Sequence, residues 1–389
     1  MKVLLFANTE WYLYNFRRGL AAALRDAGHE VLLVSPPGPY GERLRELGFR
    51  WIAVPMQRRS LNPLRELALV LWLRRLAVRE RVELIHNFTI KCVVYGSLAA
   101  RFGTGIRRVN AVAGMGYVFI SNHWKMRLLR PALRALMRLA LGGRDARLIL
   151  QNPDDVVLFE LAGLVDSAAV RLIQGSGVDC RRFVPGTRRR EGRFRVLLPA
   201  RLLWDKGLGE FVEAARLLRA DGCAIDLLLA GDPDPGNPAS VSETVVWGWV
   251  EEGLVEWLGH VEDMPRLFHS VDAVVLPSYR EGLPKGLIEA GACGLPLVTT
   301  DVPGCREVVT DEVDGLLVPV RDAAALAAAI RRLANDPALC ARLGAAARET
   351  ALTRFDERIV IEATLAVYEE LRGKAQGSRF KAQGSRFKV

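Results

Sequence analysis

Short apolar runs alternate with longer stretches of helical periodicity along this chain of 389 residues. A buried parallel strand is a nearly continuous apolar run, whereas an amphipathic helix repeats apolar residues every three to four positions. These patterns predict strands at 2–6, 31–35, 84–85, 110–113, 147–151, 195–198, 225–231, 273–276 and 297–299. They also predict helices that end near 27 or span 62–81, 123–147, 284–293 and 355–371. Strands that alternate with helices indicate an α/β protein with parallel sheets.

Two domains of ordinary size fit this length. The segment 186–194 is rich in Arg and Gly and has no apolar period, so it is the predicted linker. It separates a Rossmann-like domain at 1–185 from a second one at 195–354, which is followed by a helix at 355–372. The heptapeptide K-A-Q-G-S-R-F occurs twice within 373–389, and this tail is predicted to be disordered or a coding artefact.

The composition excludes several classes of protein. No run approaches the roughly 18 uncharged apolar residues that span a bilayer, and no signal peptide precedes the first predicted strand. The six cysteines show no C-x-x-C spacing, which favours buried thiols in a reducing cytoplasm over disulfides or a metal site. The net charge of +10 suits an anionic membrane, an acidic substrate or nucleic acid. No RNA-binding or helix-turn-helix pattern accompanies that charge, so we expect a cytoplasmic protein that does not bind nucleic acid.

The stretch 272–319 carries the candidate chemistry. Glu281 lies in the loop after the strand at 273–276, and Glu289 lies on the helix that follows. A helix start after such a strand favours an anion, because unpaired N–H groups and the helix dipole meet there. Two carboxylates beside an anion are poor phosphate ligands but good acceptors for the hydroxyls of a sugar–diphosphate–nucleoside. The alternative is that both glutamates are ordinary solvated charges.

The motifs around these glutamates resemble those of retaining glycosyltransferases of family 4, which have the GT-B fold. The resemblance rests on E-x7-E with the flanking G-L-P, A-G-A-C-G-L-P and D-G-L-L-V-P, and on P-A-R-L-L-W-D-K-G at 199–207. It implies two Rossmann-like domains facing across a cleft, with a C-terminal helix crossing back to the first. It also implies that Glu281 binds the donor sugar and Glu289 the ribose. Arg201 and Lys206 would neutralise the donor diphosphate without a metal ion or other cofactor.

Further donor contacts follow from the same resemblance. The residues expected to provide them are Gly231, Val261, Gly282, Leu283 and Lys285. Many relatives have Gly where this chain has Pro at 284, and because proline has no N–H, phosphate contacts must come from its neighbours. Asp232 and Asp234 formally match the D-x-D metal signature of another glycosyltransferase fold, but their Pro-rich loop favours turn chemistry.

The first predicted loop has the sequence N-T-E-W-Y and lacks the G-x-G-x-x-G fingerprint of dinucleotide-binding proteins. Asn8 and Glu10 of this loop are assigned to the acceptor. The aromatic residues of this stretch are suited to stacking on acceptor sugars or to lying at a lipid surface: Trp11, Tyr12, Tyr14 and Phe16. Helix packing is the alternative role for Tyr14 and Phe16.

Two later loops of the first domain carry candidates at the ends of predicted strands. His86 begins the sequence H-N-F-T-I-K and Lys91 ends it. The resemblance places a histidine of this kind near the donor sugar, whereas an isolated histidine is more commonly structural. Gly114, Gly116 and Tyr117 follow another strand, where two glycines allow a close approach of backbone to ligand or simply form a tight turn.

The helix predicted at 123–147 mixes basic and apolar residues. Arg127, Arg130, Arg134 and Arg138 recur at helical spacing among leucines. A basic amphipathic helix lies well on an anionic membrane, although an ordinary solvated face has the same pattern. We therefore predict a peripheral protein at the inner face of a bacterial plasma membrane.

The stretches N-T-E-W-Y-L-Y-N-F-R, H-N-F-T-I-K and A-G-M-G-Y-V-F look most like bacterial transferases that extend polyprenyl-diphosphate-linked oligosaccharides, including N-acetylgalactosaminyltransferases of glycan and capsule pathways. The resemblance implies transfer of a sugar, with a HexNAc from a UDP-sugar as the expected donor, onto such an acceptor in glycan, capsule or O-antigen synthesis. Two rival functions stay open. They are an epimerase-like enzyme acting on nucleotide-sugars and a catalytically inactive scaffold at a membrane surface.

Overall fold

The computed structural model describes residues 1–57, 60, 62–112, 124–186 and 192–384 of the chain. The chain forms two compact units: unit 2 comprises Gly177–Ile359, and unit 1 comprises the residues before and after it. Among the helices in the described ranges, none is both long and apolar enough to cross a membrane.

The boundary between the units differs from the predicted one. The sequence predicted that the first domain ends at 185. The N–H of Val178 donates to the carbonyl of Phe355 at 2.9 Å, and the N–H of Glu357 donates to the carbonyl of Val178 at 2.9 Å. These hydrogen bonds attach the chain to unit 2 ahead of the predicted linker.

A parallel sheet forms the centre of unit 1. Its strands are β1 Lys2–Phe6, β2 Glu30–Ser35, β3 Arg50–Ala53, β4 Leu84–Phe88, β5 Arg107–Val112, β6 Ala146–Leu150 and β7 Val170–Leu172. They lie in the order β3-β2-β1-β4-β5-β6-β7. The sequence did not predict β3 and β7, because both are short edge strands that leave residues partly exposed.

Helices cover both faces of this sheet. They are α1 Glu10–Tyr12, a π-helix Leu13–Arg17, α2 Arg18–Asp26, α3 Tyr40–Glu46, α4 Pro63–Arg79, α5 Ile90–Arg101, α6 Trp124–Leu141 and α7 Pro153–Leu161. Successive residues of a strand point to opposite faces. Val3 and Leu5 therefore share a core with α2 and with the end of the chain, whereas Leu4 and Phe6 share a core with α4 and α5.

A second parallel sheet forms the centre of unit 2. Its strands are β8 Phe194–Pro199, β9 Ile225–Ala230, β10 Glu256–Trp257, β11 Ala273–Leu276, β12 Leu297–Thr300 and β13 Leu316–Val318. They lie in the order β10-β9-β8-β11-β12-β13, so the chain reverses direction across the sheet between β8 and β11. Ligands of open α/β sheets bind at the carboxyl ends of the strands beside such a switch point.

The helices of unit 2 complete its core. They are α8 Leu208–Ala220, α9 Glu243–Glu251, α10 Met264–Phe268, α11 Lys285–Ala292, α12 Cys305–Val308, α13 Ala323–Asn335 and α14 Pro337–Arg354. The predicted helix at 284–293 corresponds to α11. A short 3₁₀ turn, Trp204–Lys206, precedes α8.

The last helix, α15, spans Glu357–Gly384. From Val360 onward it belongs to unit 1, where Val367, Tyr368 and Leu371 join the core that contains residues of β1 and β4. The sequence predicted a helix over 355–372 followed by a separate tail. The helix instead continues into the repeated heptapeptide.

Candidate active site

The loops after β8 and β11 approach each other closely at the carboxyl edge of the sheet in unit 2. Gly207 has a φ angle of 76°, and a Cβ atom there would lie 2.1 Å from the carbonyl oxygen of Pro277. The N–H of Tyr279 donates to the carbonyl of Asp205 at 2.9 Å. Only a residue without a side chain permits this approach. Glycine at 207 therefore lets the two loops meet at the switch point.

This approach places Lys206 beside Glu281. The ammonium of Lys206 donates to Oε1 of Glu281, in an ion pair whose side chains are 19% and 11% exposed. The main chain of Glu281 is fixed as well, because its N–H donates to the carbonyl of Pro303 at 3.2 Å. A Cβ atom at Gly304 would lie 2.5 Å from the carbonyl oxygen of Glu281. The predicted diphosphate-binding cation and the predicted sugar-binding carboxylate are therefore direct partners.

Arg201 has a different carboxylate partner. Its Nη1 donates to Oδ2 of Asp234 at 2.7 Å. Gly231, with a φ angle of 141°, lets the loops after β8 and β9 meet, since a Cβ atom there would lie 2.0 Å from the carbonyl oxygen of Ala200. The turn predicted around Asp234 is present, because its N–H donates to Oγ of Ser240 at 3.0 Å. Among the residues that the structure describes, no three acidic, histidine or cysteine side chains group as metal ligands.

The start of α11 lies beside the end of β8. A Cβ atom at Gly286 would lie 3.5 Å from the carbonyl oxygen of Pro199. Lys285 and Glu289 form an i,i+4 ion pair with Nζ 3.3 Å from Oε1. The remaining predicted donor residues of this unit are half-buried: Val261, Gly282 and Leu283.

Each predicted cation of unit 2 forms an ion pair. Arg201, Lys206 and Lys285 are each matched by a carboxylate. A diphosphate that replaces the carboxylates as a partner leaves Glu281 and Glu289 able to accept hydrogen bonds from hydroxyls. The same side chains can thus serve both halves of a sugar–diphosphate–nucleoside.

In unit 1, the predicted position of His86 within its strand was wrong. The sequence ended the strand at 85, but β4 continues to Phe88, so His86 lies inside the strand. Its side chain is only 1% exposed, and Nδ1 lies 2.7 Å from Oη of Tyr368. Burial, assisted by the nearby charge of Arg17, holds the pKa of His86 well below its ordinary value. The imidazole is therefore neutral at physiological pH.

The other candidates of unit 1 lie in several places. Asn8 follows β1 and is half-buried, and Glu10 begins α1 with only 7% exposure. Glycine at 38 leaves space for that carboxylate, since a Cβ atom there would lie 2.1 Å from Oε1 of Glu10. Lys91 donates to the carbonyls of Gln57 and Ser60 and to Glu66, so its ammonium already has internal partners. Gly114, Gly116 and Tyr117 lie outside the described residues.

Sequence reasoning missed two residues of this region, Arg17 and Tyr368. Arg17 ends the π-helix and is 5% exposed, and its Nη2 donates to Oη of Tyr12 at 3.0 Å. The only signal in the sequence was an arginine directly after an aromatic cluster. That cluster partly packs on itself, since the rings of Tyr12 and Phe16 stack with centroids 5.0 Å apart, while Trp11 is 39% exposed.

The predicted basic helix is present as α6. The side chains of Arg127 and Arg130 lie outside the described residues. Arg134 is exposed, and Nε of Arg138 donates to the carbonyl of Gly163 at 2.5 Å. Arg138 is therefore anchored to the backbone at the end of α7.

Two family models match the chain. The model described as "Glycosyl transferase 4-like domain" matches residues 15–174, and the model described as "Glycosyl transferases group 1" matches residues 193–336. The first match falls within unit 1 and the second within unit 2. The second covers the segment that holds the ion pairs of Arg201, Lys206 and Lys285.

Two curated relatives match this chain along most of their length. The N,N'-diacetylbacillosaminyl-diphospho-undecaprenol alpha-1,3-N-acetylgalactosaminyltransferase of Campylobacter jejuni is 29% identical over 92% of this chain and 96% of the relative. The UDP-Gal:alpha-D-GlcNAc-diphosphoundecaprenol alpha-1,3-galactosyltransferase of Escherichia coli is 24% identical over 79% of this chain and 80% of the relative.

Solved structures share the fold. HepE of Anabaena, in complex with UDP and glucose, has a TM-score of 0.77 and 22% identity and covers 95% of this chain and 99% of its own. Sucrose-phosphate synthase of Thermosynechococcus elongatus has a TM-score of 0.78 and 22% identity and covers 96% of this chain and 100% of its own. At this level of identity, the likeness concerns the fold.

Proposed function

The chain belongs to the glycosyltransferases that join a glycosyl transferase 4-like domain to a glycosyl transferases group 1 domain, and from this premise we propose its reaction. It transfers a sugar, a HexNAc carried by UDP, to a saccharide linked to polyprenyl diphosphate in bacterial glycan, capsule or O-antigen synthesis. Unit 2 binds the donor and unit 1 binds the acceptor. The fold is the GT-B fold.

The ion pair between Lys206 and Glu281 is the observation that carries the donor assignment. It lies at the switch point of a parallel sheet, at the carboxyl ends of the strands. Lys206 stabilises the charge that builds up on the departing nucleoside diphosphate, and Glu281 accepts hydrogen bonds from the sugar. Glu289, one helical turn after Lys285, accepts hydrogen bonds from the ribose.

The proposed chemistry retains the anomeric configuration and needs no metal ion. Cationic side chains supply the positive charge that a metal ion would otherwise supply to the diphosphate. Asp234, one of the two carboxylates of the formal D-x-D metal signature, is paired with Arg201. The acceptor hydroxyl attacks on the face that the diphosphate leaves, and the leaving phosphate helps to take its proton.

Two relatives support the proposed substrates. The names of the Campylobacter and Escherichia enzymes describe transfer to sugars linked to diphospho-undecaprenol, and the Campylobacter enzyme is named for N-acetylgalactosamine. The match to the Campylobacter enzyme extends over both units of this chain. The structure of HepE holds UDP and glucose, which supports a UDP-linked donor.

Unit 1 carries a surface suited to a membrane that holds such an acceptor. Helices α4 and α6 both pack against α5, so the three form one layer. The exposed apolar residues of α4 recur at helical spacing and are between 41% and 77% exposed: Leu64, Leu67, Leu71 and Val78. We assign this layer to an anionic membrane surface, where each basic residue of α6 contributes about 1 kcal/mol.

Sugar transfer to a short polyprenyl-diphosphate saccharide tests the reaction. Assays with UDP-GalNAc, UDP-GlcNAc and matched GDP-sugars, with and without EDTA, should give a product only from a UDP-HexNAc, and the activity should persist in EDTA. NMR of the new glycosidic bond should show the configuration of the donor. Conversion of the donor without an acceptor would favour the epimerase-like alternative, and no donor binding at all would favour the scaffold. Activity that returns only with Mn²⁺ would revive Asp232 and Asp234 as ligands.

Vesicle sedimentation tests the membrane surface. The protein should sediment with anionic but not with zwitterionic vesicles, and about 0.5 M salt should release it, because screening shortens the reach of the charges. Reversing the charges of Arg127, Arg130, Arg134 and Arg138 should abolish binding and spare donor hydrolysis. Absence of binding at every salt concentration would make this helix an ordinary solvated face.

A further inference from the structure

Unit 1 contains a buried arginine whose charge has no anionic partner. Arg17 ends the π-helix and is 5% exposed, and its guanidinium carbon lies 4.3 Å from the centre of the Phe88 ring. Nη2 donates to Oη of Tyr12, but Nε has no hydrogen-bond partner among the residues that the structure describes. In the described ranges of the chain, no carboxylate lies within ion-pair distance of this guanidinium.

The other buried arginines of unit 1 show what a satisfied guanidinium looks like. Arg147, 3% exposed, donates from two nitrogens to Glu370. Arg108, 4% exposed, donates to the carbonyls of Ala140 and Gly142. A buried guanidinium is expected to have its hydrogen-bond donors satisfied in this way, by a carboxylate or by carbonyl oxygens. Contact with aromatic rings offsets part of the cost for Arg17, but it leaves hydrogen-bonding capacity unused.

A second polar atom without a partner lies in the same cluster. The rings of His86 and Phe88 have centroids 4.1 Å apart, so His86 and Arg17 both contact Phe88. Nδ1 of His86 lies within hydrogen-bond distance of Tyr368, and the buried Nε2 has no partner in the described part of the chain. When the Tyr368 hydroxyl donates to Nδ1, the neutral ring carries its hydrogen on Nε2. The cluster then offers donors from both side chains.

Hydrogen-bond donors that lack acceptors are suited to binding an anion. Phe88 is the last residue of β4, and β4 lies next to β1, so the cluster is at the carboxyl edge where α/β sheets bind ligands. A guanidinium fork matches two phosphate oxygens. π-Helices of this length are rare and frequently occur at functional sites.

We propose that Arg17, with Nε2 of His86 beside it, binds the diphosphate of the polyprenyl-linked acceptor. The inference rests on the proposed function, which assigns the acceptor to unit 1. The donor also contains a diphosphate, but unit 2 has its own cations for that group, Arg201, Lys206 and Lys285. The acceptor diphosphate is the anion left for Arg17.

Two acceptors that differ only in the aglycone test the assignment. One carries the saccharide on a short polyprenyl diphosphate, and the other carries the same saccharide on a neutral octyl group. In Arg17→Gln, kcat/KM for the diphosphate acceptor should fall by about 10- to 100-fold, as expected for loss of a hydrogen-bonded charge. The rate with the octyl acceptor and the KM for the UDP-sugar should stay unchanged.

Three further variants control the result. Arg18→Gln removes the same charge one residue away, from a side chain whose guanidinium lies over Tyr14, and it should behave as wild type. Arg17→Lys keeps the charge without the fork and should fall between wild type and Arg17→Gln. If Arg17→Gln does not fold, Tyr12→Phe removes only the hydroxyl that holds Nη2, and it should still weaken the diphosphate acceptor selectively.

The contrary outcomes are distinct from one another. Equal losses with both acceptors would make Arg17 a structural residue, and a raised KM for the donor would move its role to the donor phosphate; either result overturns the proposal. Failure of the proposed function looks different, because the wild-type protein would then transfer sugar to neither acceptor. That result would remove the basis of the inference without involving any variant.

Discussion

The predicted cations of unit 2 and the buried Arg17 of unit 1 differ in the partners they hold. In unit 2, Arg201, Lys206 and Lys285 each hold a carboxylate. In unit 1, Arg17 is more deeply buried than any of them, and among the described residues its guanidinium contacts a hydroxyl and two aromatic rings. A charge that is paired in the free protein must exchange partners when a ligand binds, whereas an unpaired one gains its partner on binding.

This difference indicates which kind of ligand each site is suited to bind. A paired cation is held in position by its carboxylate. A ligand that binds the cation must therefore give that carboxylate new hydrogen bonds, and sugar hydroxyls can provide them. An unpaired buried cation discriminates against neutral ligands, because only an anion removes the cost of its burial. The proposed donor site is thus suited to an exchange of ion-pair partners, and the site around Arg17 is suited to selecting anionic over neutral ligands.

Of the changes that test this comparison, Lys206→Ala should have the largest effect on activity. Removing the cation leaves Glu281 without its partner and the departing diphosphate without stabilisation. We expect kcat to fall by roughly 10²- to 10³-fold, the usual effect of deleting one preorganised donor. Arg216→Ala is the matched control, since Arg216 is also paired with glutamates, on the exposed surface of α8. Near-normal kinetics for Lys206→Ala would remove the donor assignment.

Gly207→Ala should disturb the assembly of the paired site. The added Cβ would lie 2.1 Å from a carbonyl oxygen of Pro277, so the two loops must separate. We expect a loss on the order of 3 kcal/mol in the free energy of unfolding, measured in urea. Gly222→Ala has a similar φ angle of 69° but meets no atom within 4 Å, so it should lose only about 1 kcal/mol from strain. Equal losses would show that the close approach is unimportant.

Glu289→Gln should weaken the donor without changing the chemical step. Its proposed role is to accept hydroxyl hydrogen bonds from the ribose, and an amide does this less well than a carboxylate. We expect the KM for the UDP-sugar to rise about tenfold with kcat nearly unchanged, which corresponds to about 1.4 kcal/mol. Glu252→Gln, on the exposed surface, is the control. A fall in kcat instead would move Glu289 to the reacting centre.

The neutral state of His86 should appear as a pH dependence of stability. The folded protein keeps the ring unprotonated, because burial and Arg17 lower its pKa, whereas the unfolded chain binds a proton near pH 6.5. The unfolded state therefore holds more protons below that pH, and stability falls as the pH decreases. His86 alone should contribute a slope that approaches about 1.4 kcal/mol per pH unit below about pH 6.

Unfolding in urea between pH 5.5 and 7.5 measures this slope. His86→Gln should remove about one proton from the uptake on unfolding. The carboxylate of Glu370, whose pKa is about 2 in the folded protein, loses its contribution only at lower pH and does not interfere. An unchanged slope in His86→Gln would mean that the imidazole binds protons equally in the folded and unfolded states, which contradicts the lowered pKa.

The sequence predicted the positions of the candidates in unit 2 better than those in unit 1. It singled out Glu281, Glu289, Arg201 and Lys206 because their motifs are local and lie at strand and helix ends. Their pairing was not predictable, since it depends on how closely the backbone approaches at glycines such as Gly207. The turn around Asp234 was predicted, but its bond to Arg201 was not.

His86 shows why positions in unit 1 were harder to predict from the sequence. Two polar residues after an apolar pair indicated the end of a strand, although the strand continues to Phe88. A polar side chain inside a buried strand needs a partner, and that partner, Tyr368, lies 282 residues away. Arg17 was overlooked because nothing in its neighbourhood distinguishes a buried arginine from an exposed one.

Unit 1 is completed by a segment, from Val360 onward, that is translated after the whole of unit 2. The 282 residues between His86 and Tyr368 take a ribosome roughly 15 to 55 s to synthesise at about 5–20 residues per second. During that time the face of β4 that bears His86 and Phe88 lacks its cover from α15, while unit 2 emerges as one continuous segment. The second unit can therefore finish folding before the first is complete.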